Sequence, residues 1–101
     1  MPRERGSRTE RDKLIERIAK AAIERGNKDV RANIPGFPTP QEITGQTPDV
    51  TWTRPDGTFV IREVDPPGKM SLTNHEPHRV LHEHARRTGA DYRRLKYKRK
   101  T

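Results

Sequence analysis

Pro48-Asp49-Val50-Thr51-Trp52-Thr53, then Arg54-Pro55-Asp56-Gly57, then Thr58-Phe59-Val60-Ile61-Arg62-Glu63-Val64-Asp65 is the stretch that decides the fold. Val50 to Thr53 is β-branched and aromatic, the composition of a half-buried strand. Arg54 to Gly57 is turn chemistry, Pro55 presetting one backbone angle and Gly57 supplying a positive φ. Phe59 to Val64 is the second arm, so residues 50–64 read as a β-hairpin. Side chains alternate along a strand, so Glu63 and Asp65 share one face and Arg62 takes the other. Pairing across the turn brings Asp49 close to residues 63–65. Three carboxylates then converge at one end of the hairpin, while Val50, Trp52, Phe59, Val60 and Val64 hold them on a rigid element.

The elements on either side follow from the same kind of reading. Thr9-Glu10-Arg11-Asp12 caps a helix, and Leu14, Ile15, Ile18, Ala19, Ala22 and Ile23 recur behind it at helical spacing. Gly26-Asn27 stops it. Lys28 to Ile34 alternates polar and apolar, the period of a strand. Pro35, Gly36, Pro38 and Pro40 forbid regular structure, and residues 35–47 form a loop too long for a mere connector. Pro66-Pro67-Gly68 ends the hairpin. Residues 78–88 read as a helix with Gly89 at its end, and Ala90 to Tyr97 as a closing strand. The order is helix, strand, loop, hairpin, helix, strand. The expected class is α+β: a small mixed sheet of about four strands flanked by an N-terminal and a C-terminal helix.

The chain has 101 residues, 28% of them apolar, no Cys and a formal charge of +8. Disulfides, thiolate zinc sites and thiol chemistry are thereby excluded. No apolar run reaches the roughly 18 residues of a membrane span, and nothing resembles a secretory leader. A cytoplasmic protein is the expectation. The charge is not spread evenly. Arg3, Arg5 and Arg8 against Glu4 give residues 1–8 a net +2, and Arg93, Arg94, Lys96, Lys98, Arg99 and Lys100 give residues 93–101 a net +6. The body between them is neutral. Hence the expected organisation is a basic arm, 1–8, one domain, 9–97, and a basic tail, 98–101. Such ends attract polyanions by counterion release, or simply solubilise. Arg3, Arg5, Arg93, Arg94, Lys96, Lys98, Arg99 and Lys100 are the candidate nucleic-acid contacts.

Oxygen ligands clustered as Asp49, Glu63 and Asp65 are suit Mg²⁺ or Mn²⁺, ions that activate water and bridge phosphate oxygens during hydrolysis. The plainer reading makes Glu63 and Asp65 solvated strand residues paired with Arg62 or Lys69. His75, His78, His82 and His84 crowd into ten residues. His78 and His82 share a helix face, as zinc ligands can, but no third ligand stands at a suitable spacing. They read instead as polar surface groups facing a polyanion, with His75 or His78 within reach of a phosphate. Trp52 reads as core.

Pro48-Asp49, a turn, and a strand ending Ile61-Arg62-Glu63-Val64-Asp65 resemble the PD-(D/E)XK nuclease superfamily, and the element order around them is similar. Ala85-Arg86-Arg87-Thr88-Gly89-Ala90-Asp91-Tyr92 resembles the helix-to-strand passage that follows the motif in that superfamily. The resemblance spans about residues 9–97. It implies a restriction-endonuclease-like core and Mg²⁺- or Mn²⁺-dependent cleavage of DNA rather than RNA. Asp49 would match the first metal-binding acid and Glu63 the second. Glu16, or less well Glu10, would match an acid some members carry on the leading helix. Asp65 stands where the superfamily has its lysine, with Lys69 or Arg62 as substitutes, and Asp65→Lys is expected to preserve or raise cleavage. The catalytic candidates are therefore Asp49, Glu63, Asp65 and Lys69, and the metal candidates Asp49, Glu63, Asp65 and Glu16. The other class is a non-catalytic nucleic-acid-binding or assembly protein on a degenerate nuclease-like fold, which the missing lysine favours. A homodimer is expected if the chain cleaves duplex DNA, and a place in a larger assembly is an expectation of the second class.

Overall fold

The computed structural model describes residues 9–65 and 75–97. Their order is α1 (Glu10–Glu24), β1 (Lys28–Ala32), β2 (Val50–Thr53), β3 (Phe59–Asp65), α2 (His75–Thr88) and β4 (Asp91–Lys96). The strands form one mixed sheet in the order β1-β2-β3-β4. β1 with β2 and β2 with β3 are antiparallel, whereas β3 and β4 are parallel. A parallel neighbour needs a crossover, and α2 supplies it. The coarse expectation of an α+β fold with a four-stranded mixed sheet and two helices holds.

α1 starts where Thr9 Oγ1 accepts the Asp12 N–H at 3.0 Å. Glu10 and Asp12 in the first turn complement the positive end of the helix dipole. It ends at Gly26, whose φ of +85° is a left-handed value that favours glycine. Its buried residues Ile15 and Ala19 pack on Ala32, Val50 and Val64 to form one core. The second core lies across the sheet, where Leu81 of α2 meets Ile61 of β3 and Ile43. Ile43 comes from the proline-rich segment, which folds back through a bridge between Ile43 and Gln46. The segment expected as a loop thus supplies a core residue.

The hairpin closes where Gly57, at φ +95°, donates its N–H to the Arg54 carbonyl at 2.8 Å. Its pairs run Thr53 to Phe59, Trp52 to Val60, Thr51 to Ile61 and Val50 to Arg62. One step further along this register lie Asp49 and Glu63. Beyond them, β3 and β4 pair Glu63 with Arg94 and Asp65 with Lys96. Some boundaries differ from the sequence expectation. β1 stops at Ala32, since Ala32 and Asn33 turn their N–H groups to the carbonyls of Pro38 and Asp49. α2 begins at His75 rather than 78. No helix of the described residues is long and apolar enough to cross a membrane.

Candidate functional site

Backbone geometry makes the site before any side chain is considered. The hairpin register places Asp49 opposite Glu63, and the period of β3 places Asp65 on the same face as Glu63. The Asp49 N–H donates to Glu63 Oε2 at 3.0 Å. Asp49 in turn accepts the Val64 N–H on Oδ2 at 2.8 Å. These two bonds tie Asp49 to β3 at the Glu63 side chain and the Val64 backbone. Asp49 and Asp65 are buried, at 7% and 4% exposure. Asp65 is therefore not a solvated strand residue, and Glu63 is half-buried.

Burial pushes the Glu63 carboxyl up to about 8, helped by the negative charges of Asp49 and Asp65 and opposed by the Asp49 N–H and Arg11. A carboxyl in that state holds its proton near neutral pH. The other two acids have cationic partners. Asp49 Oδ1 accepts from Arg11 Nη2 of α1 at 2.5 Å. Asp65 Oδ2 accepts from Arg94 Nε of β4 at 2.8 Å. Its Oδ1 lies 3.1 Å from His78 Nε2.

His78 is buried, at 8% exposure. That corrects its expected place on the surface: α2 lies on the sheet along Leu81, and His78 is one turn before Leu81. Burial lowers its proton affinity, against the pull of Asp65. Its Nδ1 lies 2.9 Å from the Tyr92 hydroxyl. Burial and the charge of Glu63 keep that hydroxyl protonated, its ionisation pushed well above the usual range. The neutral tautomer consistent with both contacts donates from Nε2–H to Asp65 and accepts from Tyr92 on Nδ1. Tyr92, His78, Asp65 and Arg94 form one continuous chain.

The structure brings together Asp49, Glu63 and Asp65 of the predicted residues. Glu16 pairs with Lys20 one turn along α1, at 3.0 Å. Among the described residues no three His, Asp or Glu side chains are disposed so as to hold a metal ion. Arg3, Arg5, Lys69, Lys98, Arg99 and Lys100 lie outside the described residues. Arg94, expected as a nucleic-acid contact, is engaged by Asp65, and Arg93 lies 3.6 Å from Asp91. Lys96 is exposed on β4. Arg62 takes the face opposite Glu63, as alternation requires, and lies 5.4 Å over the Trp52 ring. Trp52 is accordingly half-buried, packed on the α1-side core with a guanidinium on it. Sequence reasoning missed Arg11, Tyr92 and the role of Arg94. For Arg11 the signal was its place in the first turn of α1, off the apolar stripe. For the other two it was the parallel register, which no local pattern announces.

Asp49 and Glu63 offer oxygen donors of the kind a hard divalent cation takes, while in the metal-free state Glu63 holds its proton and Asp49 is bonded to Arg11. Mg²⁺ keeps several waters and takes only one or two carboxylates from many proteins, so a third protein ligand is not required. Comparison with family models, with curated proteins and with solved structures finds no match for the chain.

Proposed function

We propose that this chain is a small restriction-endonuclease-like nuclease, a Mg²⁺- or Mn²⁺-dependent phosphodiester hydrolase acting on DNA. The observation that carries the reading is the tie from Asp49 to Glu63 and Val64 across the β2–β3 hairpin, within the order helix, strand, hairpin, helix, strand. That is where the PD-(D/E)XK resemblance puts its two metal-binding acids. Asp49 and Glu63 would hold the ion. Once bound, it supplies an acidified water and neutralises charge on the phosphate.

The rest is done by the protein's own groups. Loss of the Glu63 proton takes the pair from one negative charge to two, which attracts the cation. Val64 N–H and Asp49 N–H fix both carboxylates, so little reorganisation is needed. Asp65 stands in the lysine position and is held by Arg94 and His78. The positive charge a lysine would bring comes instead from Arg11 and Arg94, whose forked donors suit phosphate oxygens. The basic arm and tail hold the backbone without reading sequence. A chain this small would act on duplex DNA as a dimer.

A second reading has its own support. Asp49 and Asp65 already have guanidinium partners. A non-catalytic nucleic-acid-binding module on the same fold would use such pairs to stiffen the hairpin end. Calorimetric titration of Mn²⁺ into the wild type and Asp49→Asn separates the two. The nuclease reading expects heat with the wild type and none with the variant, together with plasmid cleavage that a chelator stops. Equal heats in both would replace it with the binding module.

A further inference from the structure

α2 runs along the sheet from the acid cluster toward the hairpin turn. His78, at its start, touches Asp65. His82 and Arg86 follow at intervals of four on the same helix face, about 6 Å apart by the helix rise. His82 sits edge-on to Tyr92, ring centroids 6.0 Å apart. Beyond it opens a cleft of about 450 Å³ between the β2–β3 turn and the end of α2. It is shallow and open to solvent along most of its extent. Arg54 and Arg86 line it together with His82, and Ala85, Ala90 and Tyr92 give it an apolar side.

The charge there is unbalanced. Asp91, also lining the cleft, accepts Arg54 at 2.6 Å and has Arg62 at 3.4 Å and Arg93 at 3.6 Å. Of these three, Arg54 lines the cleft, whereas Arg62 and Arg93 reach Asp91 from the other face of the sheet, so Arg54 and Arg86 against Asp91 leave the lining an excess of one positive charge. Arg86 is exposed. An anion between Arg54 and Arg86 would balance that charge. The apolar side, chiefly Ala90 and Tyr92, suits an anion carried on a planar or apolar group. Val60 and Asp91 mark this end of the β3–β4 pair, and Asp65 marks the other. Five residue steps separate Val60 from Asp65, about 16 Å at 3.3 Å each, or about five nucleotide steps of one strand at 3.4 Å.

We infer that the cleft between the β2–β3 turn and the end of α2 binds one nucleotide unit of the nucleic acid. Its phosphate lies on Arg54 and Arg86, and its sugar and base lie against Ala85, Ala90 and Tyr92. The inference deepens the nucleic-acid reading above and is independent of the metal. A strand seated there runs along the His82 side of α2 and reaches Asp65, so the cleft fixes the register at which the backbone meets the acids.

The experiment is a ¹H–¹⁵N titration of the full chain with thymidine 5′-monophosphate, in chelator, beside a parallel titration with inorganic phosphate. The expected result is saturable shifts at Gly89, Ala90 and Tyr92, with the nucleotide binding more tightly than phosphate. Arg86→Ala should weaken the nucleotide about tenfold, the loss of one charge-assisted hydrogen bond. His82→Ala should weaken it less. Equal affinity for nucleotide and phosphate, shifts confined to other residues, or an unchanged affinity in Arg86→Ala each overturns the inference. Chelator removes the metal from this test. The calorimetric comparison of Mn²⁺ binding therefore fails or succeeds separately.

Discussion

Glu63 is the carboxylate with most to gain from a cation, because its apo environment favours the proton. Its affinity for that proton rises from an ordinary 4.5 to about 8, so between those values the fold binds a proton the unfolded chain has lost. Stability from Glu63 is then full below about 4.5 and is lost as pH rises through about 8. His78 works the other way: its proton affinity is lowered, so its contribution is present above the ordinary histidine value and fades as pH falls. The difference in melting temperature between the wild type and Glu63→Gln isolates the first effect. Without metal, that difference should change in favour of Gln as pH climbs from 4.5 to 8, and a pH-independent difference would contradict the buried, protonated carboxyl. Mg²⁺ competes with the proton and should flatten the wild-type decline. Asp65 invites a different prediction. From the motif alone, Asp65→Lys restores a missing group. In the folded chain, however, a lysine there would face Arg94 and His78 in a pocket where Asp65 is 4% exposed. Breaking such a buried pair costs about 3–5 kcal/mol. The expected outcome is a lowered urea midpoint and no gain in cleavage, whereas cleavage with unchanged stability would show that the site relaxes around the lysine.

At the scale of elements, the hairpin and α1 are legible because each is specified locally. Pro55 and Gly57 define the turn, alternation defines the faces, and the stripe from Leu14 to Ile23 defines the buried side of α1. The placement of Asp49 beside Glu63 follows from those alone. Two features are not local. The parallel pairing of β4 depends on α2 crossing the sheet, so the meeting of Arg94 with Asp65 cannot be read from either strand. The packing of Ile43 against Ile61 and Leu81 depends on how a proline-rich loop returns, which no periodicity records. α2 is the element at greatest risk from this economy of contacts. Leu81, at 1% exposure, joins Ile61 and Ile43 in the core on that side. Leu81→Ala should cost about 2–5 kcal/mol, a large share of the roughly 5–15 kcal/mol that holds a domain together. Because His78 sits one turn away, the Tyr92–His78–Asp65 chain should loosen with it. Urea unfolding gives the loss, and the His78 ring resonances report the chain. A stable variant with unchanged His78 resonances would mean that the helix is held by its polar contacts.

Across the whole molecule, the cations behind the charge of +8 include some that are tied into the fold. Arg11, Arg54, Arg62 and Arg94 have carboxylate partners. Their charge is partly neutralised, and phosphates would have to compete for it. Lys98, Arg99 and Lys100 belong to a run with no acid near it in sequence. The two groups should answer differently to salt. Changing Lys98, Arg99 and Lys100 together to Ala should weaken binding to every DNA sequence alike. The slope of log affinity against log salt should fall by up to about 0.9 per lost phosphate contact on duplex DNA. Arg94→Ala should change that slope less, yet lower the melting temperature, because Asp65 stays buried while one of its two partners is removed. Anisotropy titrations across salt concentrations, with melting curves on the same samples, check both halves. A triple variant with the wild-type slope would make the tail a solubilising end. An Arg94→Ala variant that loses slope but keeps its melting temperature would return Arg94 to the nucleic-acid contacts and leave His78 to hold Asp65.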